Sequence, residues 1–238
     1  MQKIPTELVA PIFNPATFAI RGAVDAILTN LRRDCPFAQA HVPGYAPHWI
    51  VTRHADIQSI SRQNDLFHNA DRSATLIPQA GEQLVQEFTG GDYNLFRSLV
   101  QLDGEEHQTH RKVLFVALGS GSVQTLNDMM ARTARAQLEV LRQNNGQIDF
   151  AKQISARYPL HVVMDTIGVP REDHARMLEL TQWLFSWADP DLMRPGSDPS
   201  KPGEQPRTWK IVFDEFDNYF SNLILKRRTE PKDDLATL

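Results

Sequence analysis

The chain has almost no cysteine: Cys35 is the single one in 238 residues. One thiol cannot form an internal disulfide, and it cannot supply the paired cysteines of common structural zinc sites. Cys35 lies in R-R-D-C-P-F, where a helical pattern ends and a proline follows without nearby glycines. This setting predicts a small, half-buried residue rather than a nucleophile or a metal ligand.

An excess of one charge and a long apolar run are also missing. The 25 basic and 29 acidic residues are mixed along the chain and give a net charge of -4, so no basic block is present for nucleic acid or an anionic membrane. No segment approaches membrane-spanning length, and the N-terminal M-Q-K-I-P-T-E-L-V-A-P-I-F is interrupted where a secretory signal needs a continuous apolar run. We expect a cytoplasmic protein without nucleic-acid or membrane partners.

Hydrophobic residues make up 41% of the chain, enough for the core of one large domain or two small ones. Most recur at helical spacing, and residues 38–53 predict two short strands joined by V-P-G-Y-A-P. The predicted fold class is therefore mainly α with a small β-sheet (α+β). Helices are predicted for residues 14–36, 54–67, the segment around 105–112, and residues 123–141, 150–167, 171–187 and 209–228.

Several local features refine this prediction. Pro159 should kink its helix or mark an irregular start, and His161 is expected to be a packed core histidine. Residues 69–99 predict an irregular segment with a short helical run, and prolines between residues 190 and 206 predict a flexible connection. Asp233 or Asp234 would cap a further helix that the sequence does not complete. We therefore expect residues 1–238 to form a single incomplete domain.

The stretch E-E-H-Q-T-H-R-K, residues 105–112, carries the main candidate site. On a helix, His107 and Arg111 share a face, with Asp103 one turn earlier. An imidazole beside a guanidinium suits a carboxylate or phosphate, whereas His107 with His110 would be a metal pair whose spacing differs from that of helical zinc pairs. From this segment alone, a solvated charged face remains an equal alternative to the anion site.

The segment around residues 105–112 resembles a motif of a known protein family. L-D-G-E-E-H-Q-T-H-R-K-V is similar to the D-P-P-E-H-x-x-x-R-R motif of the bacterial cytochrome P-450 haem-thiolate monooxygenases. The segments G-Y-A-P-H-W-I and Y-P-L-H-V-V-M most resemble the corresponding sequences of the terpene-alcohol (α-terpineol) hydroxylases. Further segments that match in the family's order are L-R-R-D-C-P-F-A, W-I-V-T-R-H-A-D-I, the pair Asn69-Ala70 and R-R-T-E-P-K-D-D-L.

The resemblance implies a role for His107 and Arg111, which match the pair that holds a propionate of haem b. Gly104 and Glu105 stand where the family usually has two prolines, so the start of this helix is expected to be looser. Lys112 could add to a basic docking face for a ferredoxin. Residues 73–99 and 183–209 match the regions around the substrate pocket, and they supply four candidate substrate-binding residues: Leu76, Leu99, Leu184 and Phe185.

The resemblance also implies what these residues lack. The family's central helix with its acid and threonine, the E-x-x-R pair and the thiolate cysteine would all lie beyond Leu238, and Cys35 does not match the thiolate position. We expect the N-terminal half of a monooxygenase that hydroxylates a small hydrophobic, terpenoid-like substrate with O2 and ferredoxin-delivered electrons, and we expect this chain alone to be inactive. The alternatives are a non-catalytic helical module that binds haem or an apolar ligand, and a purely structural helical fragment.

Overall fold

The computed structural model describes residues 3–119 and 123–238. Over these residues the chain forms ten α-helices and one two-stranded antiparallel sheet, which confirms the predicted mainly α fold with a small sheet. The chain divides into two compact units. Unit 1 comprises Met1–Gln108 and Ser197–Arg207, and unit 2 comprises Thr109–Gly196 and Thr208–Leu238.

Unit 1 contains the sheet and the first five helices. The two predicted strands are β1 (Phe37–Ala40) and β2 (His48–Val51). They pair with Phe37 opposite Val51 and Ala40 opposite His48. The helices are α1 (Thr6–Val9), α2 (Pro15–Phe18), α3 (Ala23–Asp34), α4 (His54–Ser61) and α5 (Gln79–Thr89). Their buried apolar cluster consists of Ile4, Val9, Phe13, Leu31, Cys35, Ala38, Ala40 and Val42.

Two predicted helices of unit 1 are shorter than expected. The single helix predicted for residues 14–36 is divided, because Gly22 adopts φ +77 and separates α2 from α3. Ile20 is 63% exposed in this break. Helix α4 ends at Ser61 rather than near Phe67, and Ile57 on this helix is 48% exposed.

Unit 2 is built mainly from long helices. Helix α6 (Gly104–Leu118) passes from unit 1 into unit 2, and α10 (Glu204–Thr229) also has residues in both. The others are α7 (Val123–Gln143), α8 (Tyr158–Ile167) and α9 (His174–Phe185). The buried apolar cluster of unit 2 consists of Met164, Val169, Met177, Leu180, Val212 and Leu223.

Prolines explain where two of these helices begin. A π-helical turn over Ala151–Ser155 precedes α8, and Pro159 lies in the first turn of α8, which confirms the predicted irregular start. Helix α10 begins at Glu204, five residues before the predicted Trp209. Pro206 therefore belongs to the helix rather than to the preceding connection, because the first turn needs no N–H donor.

The last described residues form a 3-10 turn over Leu235–Thr237 that Asp234 precedes. The predicted capping hydrogen bond from the Asp234 side chain is not formed; that carboxylate accepts a hydrogen bond from Arg227 instead. None of the helices in the described part of the chain combines the length and the apolar character needed to cross a membrane.

Candidate functional site

Asp103, directly before α6, is hydrogen-bonded to an earlier loop of unit 1. Its Oδ2 accepts hydrogen bonds from the backbone N–H of Asn69 at 2.8 Å and of Ala70 at 2.7 Å. Its backbone oxygen accepts the N–H of His107 at 3.2 Å. The Asp103 carboxylate is thus engaged by the loop, which leaves His107 and Arg111 as the candidate anion-binding residues on this helix face.

The first residue of α6 has an unusual backbone conformation. Gly104 adopts φ +57, which a proline, restricted to φ near −65°, cannot reach. The helix therefore starts differently from one that has a proline at this position. Within unit 1, Arg97 also forms an ion pair with Glu106, which ties a second loop segment to the first turn of α6.

His107 and Arg111 lie one turn apart on the continuous helix α6, as predicted. The His107 side chain is half-buried and that of Arg111 is exposed. Within residues 3–119 and 123–238, neither side chain has a hydrogen-bond or ion-pair partner. Donors on one face, with no protein acceptor among the described residues, fit an anionic ligand such as a carboxylate.

The metal alternative on this helix would require further ligands beside His107 and His110. In the described part of the chain, no group of three or more His, Cys, Asp and Glu side chains is arranged to hold a metal ion.

The four candidate substrate residues differ in exposure. In unit 1, Leu76 is 42% exposed, and Leu99 is half-buried at the start of a 3-10 turn. In unit 2, Leu184 packs against the buried cluster, and its carbonyl accepts the indole N–H of Trp209 at 3.1 Å. Phe185, the last residue of α9, is 78% exposed.

Phe185 lines an apolar groove of unit 2 that the sequence analysis missed. The groove has a volume of about 380 Å³ and lies between α8 and α9, with Pro159 and Val163 on one side and Leu178 and Phe185 on the other. Pro159 and Val163 are four residues apart on α8, and this spacing is the sequence signal that could have identified the groove.

A larger cleft in unit 2 has charged as well as apolar side chains in its walls. It has a volume of about 620 Å³, and Arg132, Arg171 and Lys232 line it together with Asp165 and Asp233. The Asp165 carboxylate accepts hydrogen bonds from Arg171 at 2.5 Å and from the Thr133 hydroxyl at 3.3 Å. Because opposite charges are mixed across its walls, this cleft has no single sign that would favour a charged ligand.

Known proteins similar to this chain were found by sequence and by fold, although no protein-family model matches it. The chain is 32% identical over 235 residues to Cytochrome P450-terp of Pseudomonas sp, covering 99% of this chain and 55% of that protein. It is 27% identical over 224 residues to a Steroid C26-monooxygenase of Mycolicibacterium smegmatis, covering 88% of this chain and 46% of the relative.

The solved structures that resemble this chain include cytochromes P450 as well. CYP108D1 of Novosphingobium aromaticivorans matches with a TM-score of 0.82 and 28% identity, over 100% of this chain and 54% of that one. The cytochrome P450 CYP268A2 of Mycobacterium marinum matches in fold, with a TM-score of 0.74 and 22% identity over 94% of this chain and 51% of that one. The chain spans about half the length of the curated relatives it matches. Sequence and fold similarity over essentially all of its residues place this chain in the bacterial cytochrome P450 family.

Proposed function

We propose that the chain is part of a haem-thiolate monooxygenase that hydroxylates a small hydrophobic, terpenoid-like substrate with O2 and electrons from a ferredoxin. The observation that carries this proposal is the 32% identity to Cytochrome P450-terp over 99% of the chain. The match in fold to CYP108D1 over the whole chain supports it.

In this proposal, His107 and Arg111 bind a propionate of haem b. The imidazole donates one hydrogen bond and the guanidinium two, and both lie on the same face of α6. Hydrogen bonds to a charged acceptor contribute roughly 1.5–3 kcal/mol each. This pair would therefore orient the haem, while apolar contacts supply the remaining binding free energy.

Haem held by His107 and Arg111, together with a cysteine thiolate from elsewhere, would supply the activation of O2, in which one oxygen atom would enter the substrate and the other would be reduced to water. Cys35 is a poor candidate for that thiolate, because it is only 9% exposed and belongs to the buried apolar cluster of unit 1. The proposed activity therefore belongs to a polypeptide that supplies another thiolate, and we expect residues 1–238 alone to be inactive.

The proposed substrate contacts are Leu76, Leu99, Leu184 and Phe185. Phe185 is the best supported, because an aromatic side chain that is 78% exposed beside an apolar groove can cover a hydrophobic ligand. Leu184 is the least supported, because its side chain already packs in the core of unit 2. Apolar side chains and a groove of this kind suit a small hydrocarbon rather than a charged substrate.

For the ferredoxin, we propose that Lys112 contributes to the docking surface. Its side chain is exposed in the middle of α6, directly after Arg111. An exposed lysine at the rim of an interface changes the rate and the salt dependence of association more than the affinity itself. Replacing Lys112 with alanine should therefore slow electron delivery most at low ionic strength.

The test is a spectroscopic titration of the intact protein with haem and then with α-terpineol. The proposal expects stoichiometric haem, a thiolate-type Soret band in the reduced carbon-monoxide complex, and a Soret shift when α-terpineol binds. Haem binding by a monomer without the thiolate-type band would favour the non-catalytic binding module, in which His107 and Arg111 would bind the haem in the same way. Absence of haem binding, with self-association, would contradict both functions.

A further inference from the structure

Asn94 of unit 1 binds two separate segments of the chain with its side-chain amide. Its Nδ2 donates to the carbonyl oxygen of Arg72 at 3.3 Å, and its Oδ1 accepts from the backbone N–H of Ala74 at 3.4 Å. The same Oδ1 accepts from the Nε2 of Gln101 at 3.3 Å. One amide therefore joins backbone that lies 20 and 22 positions away in the chain to a side chain seven positions away.

Backbone groups fix the direction of each of these hydrogen bonds. A carbonyl oxygen only accepts and a backbone N–H only donates, so Arg72 and Ala74 determine which atom of the Asn94 amide is the nitrogen. The Gln101 amide is oriented in the same way, because its Oε1 accepts from the backbone N–H of Ser98 at 3.2 Å and from the Ser98 hydroxyl at 2.7 Å. The Nε2 of Gln101 is therefore the donor to Asn94, and both amides use their donor and their acceptor.

Arg72 and Tyr93 add a second contact between the same two stretches of chain. The guanidinium of Arg72 lies over the Tyr93 ring, 4.8 Å from its centroid, and Tyr93 directly precedes Asn94. A cation over the face of an aromatic ring is attracted to it. This contact therefore supports the hydrogen bonds that Asn94 makes with the backbone of Arg72 and Ala74.

The first of these segments is also held at both of its ends. Asp103 accepts the N–H groups of Asn69 and Ala70, and the side chain of Ile77 is buried, with 2% of the residue exposed. Leu76 directly precedes Ile77 and is 42% exposed. Its backbone is therefore fixed on both sides, while its side chain stays open to a ligand.

The second segment carries the other apolar candidate of unit 1. Leu99 is half-buried and begins the 3-10 turn that ends at Gln101. Leu99 lies two residues before Gln101, and Leu76 lies two residues after Ala74. Two residues of chain span at most about 7 Å. Each leucine is therefore within that distance, along the chain, of a residue that is hydrogen-bonded to the Asn94 amide.

We propose that Asn94 is a positioning residue for the substrate, because its amide holds Leu76 and Leu99 at a set separation and so determines which apolar molecule both side chains can contact together. The substrate part of this inference rests on the proposed function, in which both leucines are substrate contacts. The link between the two segments rests only on hydrogen bonds within unit 1. Asparagine suits this role because its amide both donates and accepts, whereas a carboxylate only accepts.

Two substitutions of nearly unchanged shape break this link from opposite sides. Asn94→Asp keeps the acceptor oxygen but cannot donate to the carbonyl of Arg72. Gln101→Glu keeps the acceptor for Ser98 but cannot donate to Asn94, and it leaves both backbone hydrogen bonds of Asn94 in place. The matched control is Asn144→Asp, which makes the same chemical change where the Asn144 amide donates to a carbonyl four residues earlier, at 2.8 Å, at the end of α7.

The test is a pair of Soret titrations of the intact haem protein, one with α-terpineol and one with imidazole, which coordinates the iron directly and needs no apolar contact. We expect Asn94→Asp and Gln101→Glu to bind α-terpineol about tenfold more weakly, as when the held arrangement falls to about a tenth of the population. Imidazole affinity and the spectrum of the reduced carbon-monoxide complex should not change, and Asn144→Asp should keep both affinities. Equal weakening of both ligands, or of neither, would overturn the positioning role. If Asn94→Asp does not fold, Gln101→Glu decides alone.

Hydrogen exchange of the Ala74 amide distinguishes a failure of this inference from a failure of the proposed function, because it needs no substrate. Asn94→Ala removes the acceptor of this N–H, so we expect the amide to exchange about tenfold faster, the change that loss of one hydrogen bond produces. Absence of any Soret shift with α-terpineol in the unsubstituted protein would contradict the proposed function. The exchange rate would then still decide the link: faster exchange in Asn94→Ala supports it, and an unchanged rate overturns it.

Discussion

Arg227 and Asp234 form a buried ion pair within unit 2. The Nε of Arg227 lies 2.6 Å from the Oδ2 of Asp234, and the two side chains are only 3% and 5% exposed. Arg227 also donates to the carbonyl oxygen of Gly168 at 2.8 Å, and the hydroxyl of Thr237 donates to the other oxygen of Asp234 at 2.8 Å. The pair therefore joins α10, the end of α8 and the last turn of the chain.

Removing one partner of this pair should be costly. Asp234→Ala would leave the Arg227 guanidinium buried without its counter-charge, and breaking a buried pair in this way costs about 3–5 kcal/mol. We expect a loss of that size in the free energy of unfolding, measured by urea denaturation. The control is Asp214→Ala, whose carboxylate pairs with Lys210 but is 57% exposed, so its loss should stay below about 1 kcal/mol. Equal losses in the two variants would show that the buried Arg227–Asp234 pair contributes no more to the free energy of unfolding than the exposed pair does.

Gly168 should tolerate no side chain, because the Asp234 carboxylate occupies the space beside it. Gly168 adopts φ +97, and a Cβ there would lie 2.1 Å from the Oδ2 of Asp234. Gly168→Ala therefore combines backbone strain of roughly 1–2 kcal/mol with displacement of the ion pair. Gly146→Ala is the control, since Gly146 has φ +74 and nothing within 4 Å of a Cβ. Thermal unfolding should show the larger loss in Gly168→Ala, and a similar loss in both would contradict the steric explanation.

The sequence predicted best those helices whose apolar periodicity is uninterrupted. Helix α7 spans Val123–Gln143, close to the predicted 123–141, because a repeat of three and four residues places the apolar side chains on one face. Prediction failed where a single backbone conformation redirects the chain. At Gly22, φ +77 ends the helical path, although the apolar spacing continues through it. Pro206 was assigned to the connection because proline usually ends helices, but the first turn of α10 accepts it.

The sequence predicted those features of the candidate site that follow from helix geometry alone. His107 and Arg111 share a face because helix geometry fixes a four-residue spacing, and α6 is one helix across both residues. The anchoring of Asp103 to Asn69 and Ala70 was not predicted, because these residues are 34 and 33 positions apart. Apolar periodicity within a short stretch of sequence gives no information about a hydrogen bond between residues so far apart.

Tyr219 should make the protein sensitive to alkaline pH. Burial raises the pKa of the Tyr219 hydroxyl, and the hydrogen bond that it donates to Asp173 raises it further. Because the folded pKa lies above the ordinary value of 10.0, this contribution to stability is present below pH 10 and is lost as the pH rises above it. Tyr219→Phe should unfold more easily at neutral pH by about 1.5–3 kcal/mol and should lose less stability between pH 9 and 11 than the unsubstituted protein.

The control for Tyr219 is Tyr93→Phe in unit 1, where the guanidinium of Arg72 stacks over the ring at 4.8 Å. The phenylalanine ring retains that contact, so Tyr93→Phe should keep both the neutral stability and the alkaline response. Urea denaturation at each pH measures both quantities. A Tyr219→Phe variant with an unchanged alkaline response would show that another group controls it.

Arg111 provides the most direct test of the proposed haem contact. Arg111→Ala removes an exposed guanidinium that has no partner in the described part of the chain, so the free energy of unfolding of the haem-free protein should change by less than about 0.5 kcal/mol. Loss of a charge-assisted hydrogen bond worth roughly 1.5–3 kcal/mol should weaken haem binding by about tenfold to hundredfold. Haem transfer to excess apomyoglobin measures this retention. Lys112→Ala on the same helix is the matched control and should retain haem as the unsubstituted protein does, because the following helical position faces about 100° away. Equal retention in both variants would mean that Arg111 does not bind the propionate, whatever the remaining activity of the protein.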